Sequence, residues 1–351
     1  MGVKNLSDIF DQSDIEIRVE KQLSDYSGRA LALDAFNVLF QFMASIRDNT
    51  GQSLVDEQGR VTSHLIGILT RNSNLIQEGI IPVYVFDGTS HELKDQVKEE
   101  RRDRRKIAEK EYEKALDEGD MVRARKFASR TNKLSSEMID DAKHLLRLMG
   151  IPVVQAPGEG EAQAAQLAHE GKVYATASQD YDSLLFGSPV MVRNLNITGR
   201  RSLPGGGTKM IYPEEIHLSN LLQGLEFTRE QLVDIGILLG SDFNPDGIRG
   251  IGPKTAFKYM KKYHSFKEVE NSVESVAQAE IPYEEIRDIF LHPDVKKGLD
   301  LDRSQVFDAD KILEFLVEQR DFSEGRYTNL VRKTEKVLQD RKQQTTLDDF
   351  F

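Results

Sequence analysis

The sequence predicts an α/β protein with a mostly parallel central sheet flanked by helices. Three short apolar runs, residues 30–33, 81–86 and 173–178, have the length and composition of buried strands. Segments in which apolar residues recur at helical spacing separate these runs. A chain that alternates strands with helices in this way is typical of a parallel sheet.

The first part of the chain predicts a parallel pair of strands. Residues 1–28 have no clear period, and the first strand follows them. The apolar residues of segment 38–46 then recur at the spacing of an amphipathic helix. A second helix is expected to begin near Thr62 or Ser63, either of which can cap it. The second strand comes next, and this β-α-α-β order favours parallel pairing.

Residues 91–136 differ from the rest of the chain. Apolar residues become sparse, proline is absent, and lysine and arginine outnumber the acids. We expect one or two charged helices, interrupted near residues 118–120, that form an insertion in the α/β sheet. The segment is either a solvated helical hairpin with (i, i+4) ion pairs or a mobile basic arm that grips phosphates.

The second part of the chain continues the α/β pattern. Residues 136–149 are predicted to be helical, and a strand–helix–strand unit covers residues 151–183. Segment 189–195 predicts another strand, and the glycine-rich run 204–207 predicts a flexible loop. Residues 265–335 are expected to be helical.

A glycine-rich run at residues 247–256 indicates contact with phosphates. Its sequence, Gly-Ile-Arg-Gly-Ile-Gly-Pro-Lys-Thr-Ala, places glycines between two helices, where backbone N–H groups can approach a phosphate closely. The run contains Lys254, and three further lysines follow it. A glycine turn alone can be a tight helix connection, but this pattern resembles the helix-hairpin-helix module that holds the backbone of duplex DNA.

Acidic residues follow several of the apolar runs. Because segments that leave the carboxyl ends of parallel strands meet in one crevice, these side chains are expected to converge. Crowded carboxylates need compensation, and hard divalent cations such as Mg²⁺ and Mn²⁺ prefer their oxygens. The alternative is that acids in a first helical turn serve only as caps. We expect a two-metal site, in which paired ions activate water and stabilise a phosphate leaving group, formed by Asp34, Asp87, Glu159, Glu161, Asp180, Asp182 and Asp242.

The composition excludes several classes of protein. The 351 residues can bury a full core, and the net charge is −11 at pH 7. An acidic total argues only weakly against nucleic acid, because the local distribution of lysine and arginine matters more. The chain has no cysteine, which excludes disulfides and thiolate sites. No secretory signal or membrane span is present, so we expect a soluble cytoplasmic protein without a membrane partner, nuclear if the source is eukaryotic.

The motifs together resemble the structure-specific 5′ nucleases (XPG/RAD2-like), and within them the flap endonucleases of archaeal and eukaryotic type. The resemblance covers essentially the whole chain. It is carried by runs that include Leu33-Asp-Ala35, Val83-Tyr-Val-Phe-Asp-Gly88, Ala156-Pro-Gly-Glu-Gly-Glu-Ala162, Ser178-Gln-Asp-Tyr-Asp182 and Leu239-Gly-Ser-Asp242. It implies a PIN-like 5′ nuclease fold with a helical arch and a helix-hairpin-helix module.

The resemblance implies a role for each matching residue. The seven acids would hold two Mg²⁺ ions, with Mn²⁺ able to substitute, and Lys94 and Arg101 would reach the scissile phosphate. A K⁺ ion would bind at the helix-hairpin-helix. The residues expected to contact DNA are Gly2, Phe40, Arg47, Arg71, Glu159, Gly240, Asp242, Gly250, Gly252 and Lys254.

The last residues of the chain resemble a motif that binds the sliding clamp, PCNA. The motif consists of Gln344, Leu347, Phe350 and Phe351. Two phenylalanines at this place would be an apolar liability unless a partner's pocket received them. The absence of a basic extension after the motif favours the archaeal type.

Two positions depart from the family pattern. Phe40 stands where the family often has tyrosine, which preserves stacking on a base but loses a hydroxyl. Gly160 stands where many relatives have alanine, which is expected to loosen the start of that helix. Neither change removes a metal ligand.

The resemblance implies a monomeric endonuclease that cuts DNA near the junction of a 5′ flap and a duplex, with an additional 5′-3′ exonuclease activity. Such enzymes act in Okazaki fragment maturation and base excision repair. The alternatives are a related 5′ nuclease with gap or bubble preference, a non-catalytic adaptor that binds DNA and the clamp, and an RNase of similar shape. The compact insertion argues against bubble preference. The intact set of acids argues against the adaptor, and the glycine run and the tail argue against the RNase.

The predicted organisation places three parts of the chain around one core. Residues 1–90 and 137–230 form the nuclease core, and residues 91–136 form the arch. The C-terminal part is divided into a helix-hairpin-helix region at 231–263, a helical region at 264–335 and a tail at 336–351.

Overall fold

The computed structural model describes residues 3, 5–128, 131, 133–202, 206–302 and 304–348. The description excludes the side chains of residues 96, 101, 125, 200–202, 342 and 344–348.

The strands are β1 (Val19–Glu20), β2 (Ala30–Asp34), β3 (Ile81–Phe86), β4 (Val153–Gln155), β5 (Ala175–Ala177), β6 (Val190–Arg193), β7 (Gly199–Ser202), β8 (Thr208–Ile211) and β9 (Glu214–His217). The helices of the first half are α1 (Ser7–Phe10), α2 (Ala35–Ser45), α3 (Ser63–Gln77), α4 (Asp95–Asp117), α5 (Met121–Ala128), α6 (Ser136–Leu148) and α7 (Gly160–His169). Those of the second half are α8 (Asp182–Leu185), α9 (Leu218–Leu225), α10 (Arg229–Leu239), α11 (Pro253–Tyr263), α12 (Phe266–Ser272), α13 (Glu274–Ala277), α14 (Tyr283–Leu291), α15 (Ala309–Leu313) and α16 (Glu324–Asp348). A π-helical turn, Glu314–Glu318, continues α15, and short 3₁₀ turns cover Leu23–Tyr26, Glu92–Lys94 and Leu195–Ile197.

Within the described ranges, the main sheet has seven strands in the order β1-β9-β6-β5-β2-β3-β4. The five strands from β6 to β4 are parallel to one another, and β9 and β1 extend the sheet antiparallel at the β6 edge. The predicted parallel pair is confirmed, since β2 and β3 pair in register from Ala30 opposite Ile81. The carboxyl ends of β2, β3, β4 and β5 therefore lie along one edge.

The predicted helices after the first strand are also present. Asp34 caps α2, since its carboxylate accepts a hydrogen bond from the Asn37 N–H at 3.1 Å. Helix α3 begins at Ser63 as expected, with Thr62 at the cap position, but the Thr62 side chain makes no capping hydrogen bond. Ser63 Oγ instead donates to the carbonyl of Ile46 at 2.7 Å, which ties the start of α3 to the end of α2.

The basic insertion is a helical hairpin of α4 and α5, with the predicted interruption between Asp117 and Met121. Small side chains let the two helices approach closely, and the buried ones are Ala108, Ala115, Ala124 and Ala128. Arg123 pairs with Glu111 and Glu118 across the hairpin. The (i, i+4) ion pairs that the solvated interpretation predicted are present along α4, between Arg104 and Glu100 and between Lys114 and Glu118. Basic residues of the hairpin also line a cleft described below.

Side chains alternate between the two faces of the central strands. Leu31, Leu33 and Tyr84 face a cluster formed with α3, α6 and α16, whereas Ala32 and Val83 face a cluster formed with α7. This period of two is what a sheet covered on both faces requires. A third cluster joins α8 to helices α9 to α14 in the C-terminal part.

The glycines of the glycine-rich run, Gly247, Gly250 and Gly252, lie between α10 and α11, as predicted. Helix α10 ends at Gly240, which has φ +100°. A Cβ at Gly247 would lie 2.4 Å from the Leu239 carbonyl oxygen, so this turn tolerates only glycine there. The β7–β8 hairpin and the edge strands β1 and β9 were not predicted, because they are short and lack an apolar period. Among the described residues, no helix is long and apolar enough to cross a membrane.

Candidate active site

A cleft of about 1260 Å³ lies at the carboxyl ends of the parallel strands, between the sheet and the insertion. All seven predicted acids line it, together with Lys94. The other side of the cleft is formed by the insertion, through residues that include Val97, Lys98, Arg104, Arg105, Ile107, Ala108 and Phe127. The cleft therefore combines an acidic floor with a basic and apolar roof.

The topology explains how the acids meet. Asp34 ends β2 and Asp87 directly follows β3, and these two strands are neighbours. Glu159 occupies the N-terminal cap position of α7 after β4, and Asp180 follows β5. Asp242 arrives differently, because the apolar run before it is helix α10 and not a strand. Convergence at one sheet edge accounts for the rest of the set.

Asn37 connects two of the acids. Its side-chain Nδ2 donates to Asp180 Oδ2 at 2.8 Å, and its backbone N–H donates to Asp34 Oδ1. Ser178 Oγ performs a similar task, because it donates to Glu161 Oε1 at 2.7 Å and accepts from the Asp180 N–H at 3.1 Å. Sequence reasoning missed both residues. The available signal was a polar residue three positions after Asp34 and another two positions before Asp180.

Backbone N–H groups hold two further acids. The Val3 N–H donates to Asp182 Oδ1 at 2.8 Å, which brings the start of the chain to the site. The Gly160 N–H donates to Asp87 Oδ1 at 2.6 Å, and a Cβ at Gly160 would lie 2.6 Å from that oxygen. Glycine at this position therefore allows the close contact with Asp87. The sequence predicted only that Gly160 would loosen the start of the helix, and it did not predict this contact.

Lys94 reaches the acidic floor from the start of the insertion. Its ammonium group forms an ion pair with Glu159 and lies 4.7 Å from the centre of the Phe243 ring. Burial alone would lower the pKa of Lys94, but the charges of Glu159, Asp242 and Asp87 outweigh it and raise the pKa. Lys94 is thus held as a cation beside the acids.

Four of the acids titrate abnormally because they are crowded into one partly buried cleft. Burial, followed by the charge of Asp87, raises the pKa of Asp34 to about 7. Burial also raises the pKa of Asp182 to about 7 and, with the charge of Glu159, that of Asp87 to about 6. The pKa of Glu161 is raised as well, by burial and then by Asp182. Such a set gains stability from bound cations that neutralise it.

The donor set fits hard divalent cations in its chemistry, since it offers only carboxylate oxygens in a partly dry cleft. Within the described part of the chain, however, no three Asp, Glu or His side chains are grouped closely enough to hold a metal ion. Several carboxylate oxygens instead accept hydrogen bonds from Asn37, Val3, Gly160 and Lys94. Metal binding would therefore require small movements of the acidic side chains away from these hydrogen-bond donors.

The residues expected to contact DNA lie around the cleft and beyond it. Phe40 lines the cleft and is 40% exposed. Arg47 donates to the Gly51 carbonyl at 2.5 Å, and Arg71 lines a separate cavity of about 280 Å³ with Asn196. Gly240 ends α10, whereas Gly250, Gly252 and Lys254 are exposed before and at the start of α11. The structure does not bring these last residues into the cleft.

Some predicted residues lie outside the description. Gly2, Phe350 and Phe351 are outside the described residues. Arg101 lies on α4, and Gln344 and Leu347 lie on α16, but the description excludes their side chains.

Comparison with known families gives two matches in this chain. Residues 1–108 match the XPG N-terminal domain, and residues 150–242 match the XPG I-region. The two matched regions contain all seven acids. They leave out most of the helical hairpin, which lies between them.

Relatives match along nearly the whole chain. Flap endonuclease 1 of Caldivirga maquilingensis is 45% identical over 353 residues, which cover 100% of both chains. Flap endonuclease 1 of Sulfurisphaera tokodaii is 46% identical, covering 96% of this chain and 98% of the relative. Among solved structures, flap endonuclease-1 from Methanococcus jannaschii is 34% identical, with a TM-score of 0.71, and the match covers 93% of this chain and 98% of that one.

Proposed function

This chain belongs to the flap endonuclease family, and from that premise we propose that it is a divalent-metal-dependent endonuclease that hydrolyses DNA near the junction of a 5′ flap and a duplex. The observation that carries the proposal is the convergence of seven acids in one cleft beneath a basic helical hairpin. A 5′-3′ exonuclease activity follows from the same chemistry. Okazaki fragment maturation and base excision repair would use the endonuclease and the exonuclease activities.

The acids would hold two Mg²⁺ ions, and Mn²⁺ could replace them. The candidate ligands are the seven acids that line the cleft, Asp34, Asp87, Glu159, Glu161, Asp180, Asp182 and Asp242. When bound, paired ions of this kind activate water and stabilise the charge that develops during phosphodiester hydrolysis. The raised pKa values of Asp34 and Asp182 support this proposal, because bound cations would neutralise the crowded negative charge.

Lys94 and Arg101 would bind the scissile phosphate. Lys94 already lies at the cleft floor as a cation paired with Glu159, so a phosphoryl oxygen could replace that carboxylate as its partner. Arg101 lies on α4, the helix whose residues form the roof of the cleft. Donors held in place before the substrate arrives lower the cost of stabilising charge in the transition state.

The duplex would be held away from the cleft. The exposed Gly250, Gly252 and Lys254 precede or begin α11, whose N–H groups favour a phosphate, and a K⁺ ion could assist them. Phe40, Arg47 and Arg71 would contact DNA nearer the acids, with Phe40 stacking on a base. A single-stranded flap would pass beneath the hairpin, so the enzyme would recognise DNA by shape.

The protein would act as a monomer inside the cell and bind the sliding clamp, PCNA, through the tail that contains Gln344, Leu347, Phe350 and Phe351. A short terminal segment with an aromatic pair suits the surface pocket of a partner. The family membership and the position of this motif at the end of the long helix α16 support this assignment.

The test is cleavage of a labelled double-flap DNA, with plain duplex and single strand as comparison substrates, in Mg²⁺ and in chelator. We expect incision confined to the flap junction and dependent on Mg²⁺. Preferred incision at a gap or bubble would support a related 5′ nuclease instead. Binding without incision would overturn the catalytic assignment in favour of a non-catalytic adaptor.

A further inference from the structure

Helix α7 carries two of the proposed metal ligands at its first turn. Glu159 is its cap residue and Glu161 lies in its first turn, while Gly160 between them donates to Asp87. The placement of this one helix therefore affects three acids. One side of α7 packs on the sheet through Ala164 and Leu167.

An irregular segment, residues 292–302, crosses the other side of α7, and we call it the strap. It leaves α14 and runs along α7 from its first residues to the end of the helix. At the beginning, the Asp294 carbonyl oxygen would lie 3.6 Å from a Cβ on Gly158. At the far end, Lys172 Nζ contacts Asp300 at 2.8 Å. Leu299 and Leu301, on either side of Asp300, pack against the hydrophobic cluster that contains α7.

Gln163 makes the central contact between α7 and the strap. Its Nε2 donates to the Lys296 carbonyl at 2.9 Å, and its Oε1 accepts from the Lys296 N–H at 2.8 Å. The side chain is 0% exposed, although the other buried residues of α7 are glycine, alanine and leucine. Because this amide pairs with both backbone polar groups of Lys296, it fixes both the distance and the orientation of α7 relative to the strap.

The same residue is connected directly to the site. The Gln163 N–H donates to the Glu159 carbonyl at 3.1 Å within the helix. Gln163 is also two positions from Glu161. A shift of α7 against the strap would therefore move both glutamates relative to Asp34, which ends β2, and would disturb the contact between Gly160 and Asp87.

We propose that the strap positions α7 for metal binding and that Gln163 is the positioning residue that connects the two. This inference rests on the proposed function, because it concerns the same metal ligands. Gln163 does not touch the cleft and acts only through the helix. Residues that orient metal ligands in this way affect metal affinity as well as rate.

The test uses the full chain with Gln163→Leu, which keeps most of the side-chain volume and removes both hydrogen bonds. Mn²⁺ binding is measured by electron paramagnetic resonance without DNA, and kcat and KM are measured on double-flap DNA in Mg²⁺. We expect Mn²⁺ affinity and kcat to fall by about tenfold or more, with KM for DNA unchanged. Unchanged Mn²⁺ affinity in a folded variant would overturn the proposal.

Glu170→Ala is the matched control. It also removes a two-point contact with the strap, because both Glu170 oxygens accept from the Gly298 N–H at 2.9 and 3.1 Å. Glu170 lies eleven residues beyond Glu159, which is about 16 Å along a helix. We expect Glu170→Ala to lower Tm without changing Mn²⁺ affinity. Equal losses of affinity in both variants would show a general effect of stability and overturn the role of Gln163.

A second variant tests the proposal even if Gln163→Leu does not fold. Gln163→Glu keeps the acceptor for the Lys296 N–H and loses the donor to its carbonyl, so we expect a loss of Mn²⁺ affinity between those of the wild type and Gln163→Leu. Wild-type affinity in Gln163→Glu, with Gln163→Leu unfolded, would overturn the proposal. If the wild type binds Mn²⁺ but does not cut flap DNA, the proposed function fails while the strap is still judged by Mn²⁺ binding.

Discussion

Asn37 holds the carboxylate of Asp180 by a 2.8 Å hydrogen bond from its side-chain amide. The two residues follow neighbouring strands of the sheet, since Asn37 lies in α2 just after β2 and Asp180 lies just after β5. The Asn37 backbone N–H also donates to Asp34, so one residue orients acids from both strands. An amide can do this without adding charge to a crowded acidic site.

We therefore expect Asn37→Ala to lower kcat by about tenfold and to raise the Mg²⁺ concentration needed for half-maximal rate. The variant removes the bond to Asp180 but keeps the backbone bond to Asp34. Cleavage of double-flap DNA over a Mg²⁺ titration measures both effects. Asn220→Ala, on the exposed side of α9, is the control and should leave the titration unchanged. A wild-type response from Asn37→Ala would show that metal ions alone orient Asp180.

Asp180→Ala should abolish cleavage while DNA binding persists. Asp180 lies on the cleft floor, away from the exposed glycines and lysine proposed to hold the duplex. Rate in Mg²⁺ and fluorescence anisotropy of a labelled flap DNA without divalent ions separate the two properties. Asp340→Ala removes an exposed carboxylate on α16 and should affect neither. Retained turnover by Asp180→Ala would remove Asp180 from the metal site.

Much of the site could be predicted because its signals are local. An apolar run that ends in an acid, such as the one before Asp34 or Asp87, reports both the strand and the position of the carboxylate at its end. Parallel order then brings these ends together. Helix α10 shows the limit of this reasoning, because its apolar run resembles a strand run and also leads to an acid, Asp242.

The contacts that orient the acids could not be predicted from local signals. The Val3 N–H meets Asp182 across 179 positions of the chain, and Gln163 meets Lys296 across 133. Each depends on how distant elements pack, and neither residue type indicates a partner by itself. The short strands β7 and β8 were missed for a related reason, since their stability depends on pairing with each other and not on an apolar period.

The buried histidine of α3 predicts a pH dependence of stability. His64 is 0% exposed, and burial lowers its pKa from the ordinary 6.5 to about 4, a shift that the nearby Asp141 partly opposes. Between these two values the unfolded chain binds a proton that the folded chain does not. The stability that buried, neutral His64 contributes to the folded protein is therefore complete above pH 6.5, and it is lost as the pH falls toward 4.

In the wild type, His64 should lower the free energy of unfolding by up to about 3 kcal/mol between neutral and acidic pH. We expect His64→Leu to abolish this decrease, so that the free energy of unfolding depends less on pH. Urea unfolding at several pH values measures it. His292→Leu is the control, because His292 is exposed and pairs with Asp288 at the surface. A wild-type slope in His64→Leu would assign the acid sensitivity to other groups.

Deleting residues 344–351 should leave cleavage of free DNA intact and end stimulation by the sliding clamp. The cut falls after Arg341, whose guanidinium donates to the carbonyls of Ile76 and Gln77 at 2.8 and 2.7 Å. These bonds attach α16 to the end of α3, so the shortened helix keeps its attachment and Tm should not change. Flap cleavage with and without added clamp measures the effect, and Gln343→Ala, just before the motif, is the control. Stimulation that survives the deletion would place the clamp-binding surface elsewhere on the protein.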